Sequence, residues 1–366
     1  MRILRDKRAA LLLLIIFLGV LGGVTYLTVG RNLTGAPTEE VTTPWQEKTP
    51  KPGEERQVSE LEVPAKLVMH VEAAEATGSP QENASGGASS RVSLNQPSDM
   101  VSIGDRLFVL DSGNGRLVEL DRSGKVVRIL DGTVDERLAL HLPMAMTAHG
   151  DSLYVADSGS GRVLVVNVAG GEAKVEKVIS LDRLQGDKDT PRPIGIAVNA
   201  DGDIFVSDAN NQRVLKCKAD GTVASFVGTG KREAGNYGLN APGSIALDGQ
   251  GNIYVVDILN GRVMKYSPDG KFLLQIGQLG DTVGKFSRPK GVAIDGQGNI
   301  FVSDSLQAAV QVFDPQGKYI GLIGRKEPGN KDSGSIFRAP AELKIVDRLL
   351  YVTDRLSGPF IFELQG

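Results

Sequence analysis

The stretch GNIYVVDILNGRVMKYSPDGKFLLQIG, Gly251 to Gly277, returns in nearly the same words at Gly298 as GNIFVSDSLQAAVQVFDPQGKYIGLIG. Repetition at a fixed period of about 20–50 residues marks an array of like structural units and outranks any local reading. Six copies are present. An Asp closes a short β-branched run at Asp111, Asp157, Asp208, Asp257, Asp304 and Asp354, in steps of 46, 51, 49, 47 and 50 residues. A Pro opens each unit in the same phase, at Pro97, Pro143, Pro193, Pro242, Pro289 and Pro340.

The fourth copy shows how one unit folds. GSIALD, IYVVD, RVMKYS and KFLLQIG are four short runs of alternating or β-branched character, divided by turns at GQGN, ILNG and PDG. Gly, Asn and Asp at those turns supply the positive φ that tight hairpins need. Each unit is therefore one four-stranded antiparallel sheet. One such sheet cannot cover both of its faces, but six packed radially around a channel can, which predicts an all-β, six-bladed β-propeller. An open solenoid is the alternative, and it would leave unpaired edges at both ends.

The sixth unit contains only three such runs, AELKIV, LLYVTD and PFIFELQG. Upstream of the first unit, AKLVMHVEA alternates apolar residues at Leu67, Met69 and Val71, as a half-buried strand does. Residues 65–73 are expected to supply the outer strand of the last blade and so close the ring, making 65–366 the propeller.

The pattern P-x-G-[IV]-A-[VI]-[ND]-x-x-G-[ND]-I-[YF]-V-x-D-x-x-N-x-R-V, followed by an aromatic, DG and a terminal IG, resembles the NHL repeat, and the array resembles the six-bladed NHL propeller. The likeness covers about 270 residues. It is specific for the fold and weak for activity, because that family includes sensor ectodomains, protein and RNA binding modules, and relatives with lyase or lactonase activity.

Residues 1–8 carry four basic side chains and one acidic, and Ala9 to Val29 then runs for 21 residues without a charge. That length crosses a bilayer as a helix and exceeds the apolar core of about 7–15 residues in a cleaved signal peptide. The positive-inside rule leaves the N-terminus in the cytoplasm. Residues 9–29 are thus read as a transmembrane signal anchor in a single-pass protein of the cell membrane, with the propeller extracytoplasmic. A cleaved signal peptide remains the alternative. Residues 30–64, with five prolines and seven glutamates, read as an extended, disordered linker. An exported propeller on a short anchor, with no intramolecular disulfide possible from one cysteine, fits a bacterium.

The formal charge is −3 for the chain and more negative beyond the basic N-terminus, which with export gives no case for nucleic acid. Cys217 falls where other units place Leu120, Val166, Tyr266 and Phe313, and is read as a packing residue.

Six repeated aspartates invite a metal or catalytic reading. In four units, however, an Arg follows by five residues, pairing Asp111 with Arg116, Asp157 with Arg162, Asp208 with Arg213 and Asp257 with Arg262. Across a tight hairpin such a carboxylate can accept from turn N–H groups and from guanidinium, a structural role. In the fifth and sixth units Ala309 and Pro359 stand at that spacing, so Asp304 and Asp354 are expected to be exposed differently.

The segments before each Pro differ most between copies, and in a propeller they gather on one face with the Asp-to-Arg hairpins. Arg137, Arg192, Lys285, Arg288 and Arg338, with Lys231, Arg232 and Lys290, would make that face basic, and Tyr237, Phe286 and Phe337 would supply aromatic inserts. Variable loops on a rigid scaffold are where binding is usually found. The expected partner is an envelope protein or an anionic polymer; ordinary solvated loop charge is the alternative.

An enzyme would need its chemical groups. The resemblance implies a histidine set for zinc in amidating lyases, whereas His70, His141 and His149 do not converge from three blades. It also implies an inward Glu with Asn and Asp in calcium-dependent lactonases, whereas the inner strands here read as small and apolar, with Glu342 the one exception. DGQGN and NADGD are too short for an EF-hand loop and read as turns. No catalytic residue, metal ligand or cofactor is assigned, although a structural calcium or a catalytic divalent metal stays open. The favoured reading is a membrane-tethered binding or scaffold propeller. The alternative is a metal-dependent lyase or lactonase-like hydrolase with its site at the channel.

Overall fold

A computed structural model describes residues 65–71, 93–181, 187–324 and 334–365. The N-terminal residues 1–8, the predicted span 9–29 and the predicted linker 30–64 lie outside the described residues. Among the described residues no helix is long and apolar enough to cross a membrane.

The described residues form six four-stranded antiparallel sheets. In five of them the strands follow sequence order from the axis outward. The sixth runs in space as Ala65–His70, Gly358–Leu364, Leu349–Asp354 and Pro340–Val346, so the strand from the start of the array is its outermost member. Ala65 pairs with Leu364 and His70 with Phe360. The His70 ring stacks on that of Phe360 at 4.0 Å.

The innermost strands are Asp99–Ile103, Pro143–His149, Pro193–Val198, Pro242–Leu247, Pro289–Ile294 and Pro340–Val346. Each touches the next, and the last touches the first, which closes the ring. Two glycines permit the closest approaches. A Cβ on Gly195 would stand 2.3 Å from the Gly243 carbonyl oxygen, and one on Gly291 would stand 2.4 Å from that of Ala341.

The hydrophobic core is divided among the blade interfaces rather than concentrated at one centre. Phe108, Leu117, Met146 and Leu164 pack between blades 1 and 2. Tyr254, Val263, Val292 and Phe313 pack between blades 4 and 5, and Met100, Val109, Tyr351 and Ile361 pack between blades 6 and 1. The alternation of each strand gives every sheet two apolar faces, and each face is covered by the neighbouring blade. Cys217 lies in the interface of blades 2 and 3, where burial pushes its thiol up to about 11.

Candidate functional site at the loop face and channel

Register places the repeated Pro and Asp side by side. Pro193 pairs with Asp208, Pro242 with Asp257, Pro289 with Asp304 and Pro340 with Asp354. The hairpin after each Asp and the loop before each Pro therefore meet on one face. Backbone bonds join them, from Ala209 N to the Arg192 carbonyl, Ser305 N to that of Arg288 and Arg355 N to that of Ala339.

All six ring aspartates are fully buried. In blade 1, Asp111 accepts from Asn95 N at 2.6 Å, Asn114 Nδ2 at 2.8 Å and Arg116 Nε at 2.7 Å. Asp157 takes His141 N and Arg162 Nε, and Asp257 takes Asn240 N, Asn260 Nδ2 and Arg262 Nε. Burial raises Asp257 above its ordinary value against these donors. In blade 3, Arg213 makes a bidentate pair with Asp187 and stands 3.2 Å from Asp208, which also receives Arg192 N. The ring is a set of clamps that tie each incoming loop to its hairpin, with no carboxylate oxygen presented to solvent.

Blades 5 and 6 depart from the expected difference in exposure. Asp304 faces Ala309, while Asp354 faces Gly358 rather than Pro359, because the last hairpin is one residue tighter. Backbone donors replace guanidinium. Asp304 accepts from Ser287 N, Arg288 N, Leu306 N and Gln307 N, and Asp354 from Arg338 N, Ala339 N, Leu356 N and Ser357 N. Both aspartates are as buried as the rest.

Of the residues expected on the basic face, Arg137, Arg192, Tyr237, Arg288 and Arg338 are exposed. Arg137 is engaged with Asp135. Lys285 is half-buried, its carbonyl accepting from Gln307 and Gln311. Phe286 and Phe337 are not rim inserts. They are buried in the interfaces of blades 4 and 5 and blades 5 and 6, Phe286 5.4 Å from Phe313 and Phe337 edge-on to Phe360 at 5.2 Å. Gly277 and Gly324 leave the room, since a Cβ on either would meet the ring within 2.4 Å. The physical reason recurs in the array: the residue three before the Pro anchors its loop in five of the six units, Leu94, Leu140 and Leu239 being the other three, while Thr190 in the third unit is exposed. Burying an aromatic there contributes about 1.5–3 kcal/mol, which outweighs its use as an exposed contact.

The channel holds groups that the small, apolar reading of the inner strands passed over. Asp99, two residues after Pro97, is fully buried. It accepts from Met100 N at 2.8 Å and Met146 N at 2.7 Å, and Lys344 Nζ lies 3.2 Å away. Lys344 also reaches Glu342 Oε1 at 3.3 Å. Ser244 Oγ donates to the same Glu342 oxygen from blade 4 and accepts from Val292 N at 3.2 Å. Three blades thus meet across the axis through polar side chains. Burial, reinforced by Glu342, pushes Asp99 up to about 7 although Lys344 pulls the other way. Burial disfavours the Lys344 ammonium, yet the two carboxylates hold it above its ordinary value. The cluster carries two carboxylates for one ammonium.

At the mouth above, Lys290 is half-buried. Burial and the nearby Arg288 and Arg355 push it down to about 8, and burial with Arg288 lowers Arg355. Among the described residues no group of three or more His, Cys, Asp or Glu side chains is arranged to hold a metal ion.

The arrangement defines a six-bladed β-propeller with a clamped loop face and a polar-stoppered channel. Residues 81–271, just over half of the chain, match the model of the family described as outer membrane protein assembly factor BamB (PQQ_2), and the chain belongs to that family. No curated protein matches the chain. Among solved structures it is similar to a protein of unknown function from Bacteroides thetaiotaomicron, at 14% identity and TM-score 0.58, over 83% of this chain and 77% of that one. It is also similar to a streptogramin B lyase, at 13% and 0.53 over 74% of this chain and 94% of that one. A catalytically inactive His-to-Ala form of virginiamycin B lyase from Staphylococcus aureus with quinupristin matches at 12% and 0.52, over 74% and 96%. These identities carry the fold alone.

Proposed function

We propose that this chain is a membrane-tethered, extracytoplasmic binding and assembly propeller of NHL-like repeats, held by residues 9–29 and recognising an envelope protein or anionic ligand through its loop face, without a cofactor. The observation that carries the reading is the state of Arg192, Arg288 and Arg338. Each is exposed, each donates its backbone N–H to a ring aspartate, and none of their guanidinium groups has a hydrogen-bond or ion-pair partner among the described residues. Clamped backbones fix where these unpaired cations leave the face, so no loop ordering is left to lose when a partner binds. Membership of a family named for an outer membrane assembly factor supports a protein partner in the envelope.

The alternative, a metal-dependent lyase or lactonase-like hydrolase, would draw on Asp99 and Glu342 in the channel. Asp99 is committed to Met100 N, Met146 N and Lys344, and Glu342 to Ser244 and Lys344, which favours binding over chemistry.

The test is capture from the source cell's envelope extract with the full-length chain in detergent, beside a form carrying Arg192→Ala, Arg288→Ala and Arg338→Ala. A protein or polymer retained by the first bait and lost from the second, unaffected by a chelator, is the expected result. Capture of nothing by either, with a chelator-sensitive hydrolytic activity, would overturn the reading.

A further inference from the structure

The repeat positions around the loop face are not equivalent in what they expose. Two residues after the ring aspartate stand Gly113, Gly159 and Asn210 in blades 1–3, but Leu306 and Leu356 in blades 5 and 6, with Leu259 in blade 4. Leu306 is 66% and Leu356 50% exposed. Isolated exposed leucines are ordinary and by themselves mean nothing.

Their surroundings differ from that ordinary case. Blades 5 and 6 are the two whose aspartate has lost its Arg and instead accepts the N–H of that same leucine, Leu306 N at 3.0 Å and Leu356 N at 2.9 Å. The hairpin backbone is thereby pinned at the residue whose side chain is left in solvent.

Between and beside these leucines stand Arg288, Lys290 and Arg355. Arg288 and Lys290 flank Pro289, and Arg355 directly precedes Leu356. Arg355 donates to the neutral amide of Gln96 at 2.9 Å, and none of the three has an ion pair among the described residues. The one carboxylate that Lys290 senses, Asp304, already accepts four backbone N–H groups. Asp281 is the exposed carboxylate on the loop before blade 5. Arg288 and Arg355 both disfavour the charge on Lys290, and an arriving carboxylate relieves that repulsion.

We propose that the mouth of the channel at blades 5 and 6 binds an acidic peptide segment of a partner protein, one carboxylate seated among Arg288, Lys290 and Arg355 and flanking aliphatic side chains resting on Leu306 and Leu356. Charge complementarity selects an acidic occupant, and the paired leucines select a peptide with apolar side chains over a uniformly charged polymer. The inference rests on the binding reading above and narrows it to one sector and one partner chemistry.

The probe is a fluorescein-labelled decapeptide of mixed glutamate and leucine, titrated by anisotropy onto the full-length chain in detergent. Its affinity should exceed, by about tenfold or more, that of the same peptide with Gln for Glu or with Ser for Leu. Lys290→Met, Arg355→Gln, and the pair Leu306→Ser with Leu356→Ser should each lower it by a factor of about five to ten. Leu142→Ser in blade 2 and Lys174→Gln on its outer strand should leave it within about twofold. Unchanged melting temperatures of the exposed-leucine variants keep loss of fold apart from loss of site.

Equal binding of polyglutamate or dextran sulfate would overturn the proposal in favour of a general polyanion surface. Equal effects from the blade 2 substitutions would overturn it in favour of a diffuse face. Failure of this site and failure of the binding reading are separable. An envelope protein captured equally by wild type and by the blade 5 and 6 variants removes the site and keeps the function, whereas capture of nothing by wild type removes both.

Discussion

At the scale of single residues, the channel cluster makes the sharpest statement. Asp99, Glu342 and Lys344 place two buried carboxylates around one half-buried ammonium. Asp99, raised from 3.8 to about 7, binds its proton more tightly in the native than in the unfolded chain. Its contribution is therefore most favourable at low pH, falls as pH rises through the window from about 4 to 7, and is constant above. Lys344→Met deletes the only cation of the cluster and makes that dependence steeper. The variant is expected to lose about 3–5 kcal/mol at pH 8, where the buried carboxylates have lost their counter-ion, and to recover part of this at pH 5, where Asp99 can be protonated. Urea denaturation at the two pH values measures it. A loss of the same size at both would mean that the lysine acts through packing of its stem rather than through charge.

At the scale of the element, the hairpin that follows the ring aspartate in each blade is one design executed with different residues. Four residues after the ring aspartate the backbone turns to positive φ, at Gly115, Gly161 and Gly261 with φ of 61–63°, and at Ala308 with φ of 52°. A Cβ there costs about 1–2 kcal/mol, part of which glycine would return to the unfolded chain as entropy. Ala308→Gly is expected to raise stability by about 0.5–1 kcal/mol, read as a shift in urea midpoint at constant slope. A lower midpoint would show that blade 5 has relaxed around its alanine. Such hairpins, the four strands per unit and the phase of Pro and Asp were all legible in the sequence, because turn chemistry and β-branched runs repeat with the fold. What the linear reading got wrong lay where a residue's neighbours come from another blade. Phe286 and Phe337 sit in polar loop sequence and look solvent-facing, yet Gly277 and Gly324 open a slot for each ring. The signal existed, since the position three before each Pro is apolar in five of six units, but a single loop does not display it. Asp99 was hidden likewise. Aligning the residue two after each Pro gives Asp99, Ala145, Gly195, Ser244, Gly291 and Glu342, the polar stopper and the glycines that let it close.

At the scale of the whole molecule, the ring depends on one strand that is distant in sequence and adjacent in space. Ala65–His70 pairs with Gly358–Leu364 across nearly 300 residues of chain, and Val71 N bonds the Pro359 carbonyl at 2.9 Å. Met69 and Val71 cover the core between blades 6 and 1, so the strand both completes a sheet and seals an interface. Propellers without such a seam would open at the contact of first and last blade, the one interface that no short loop holds together. Deleting residues 65–71 while keeping everything before and after them removes those ladder bonds, each worth about 1 kcal/mol net, and bares the edge of the strand carrying Phe360 and Phe362. The expected outcome is a loss of several kcal/mol, with hydrogen exchange rising first in blades 6 and 1 and a tendency to associate through the uncovered edge. Because blades 2 and 3 touch the seam only through their neighbours, and blade 4 reaches blade 6 only through the Ser244–Glu342 bond, their protection should fall later, as in any array whose stability is carried by nearest-neighbour interfaces. Uniform loss of protection across all six blades would instead mean that the ring unfolds as one cooperative body, and that the polar stopper in the channel, which ties blades 1, 4 and 6 together across the axis, couples them more strongly than their shared hydrophobic faces do.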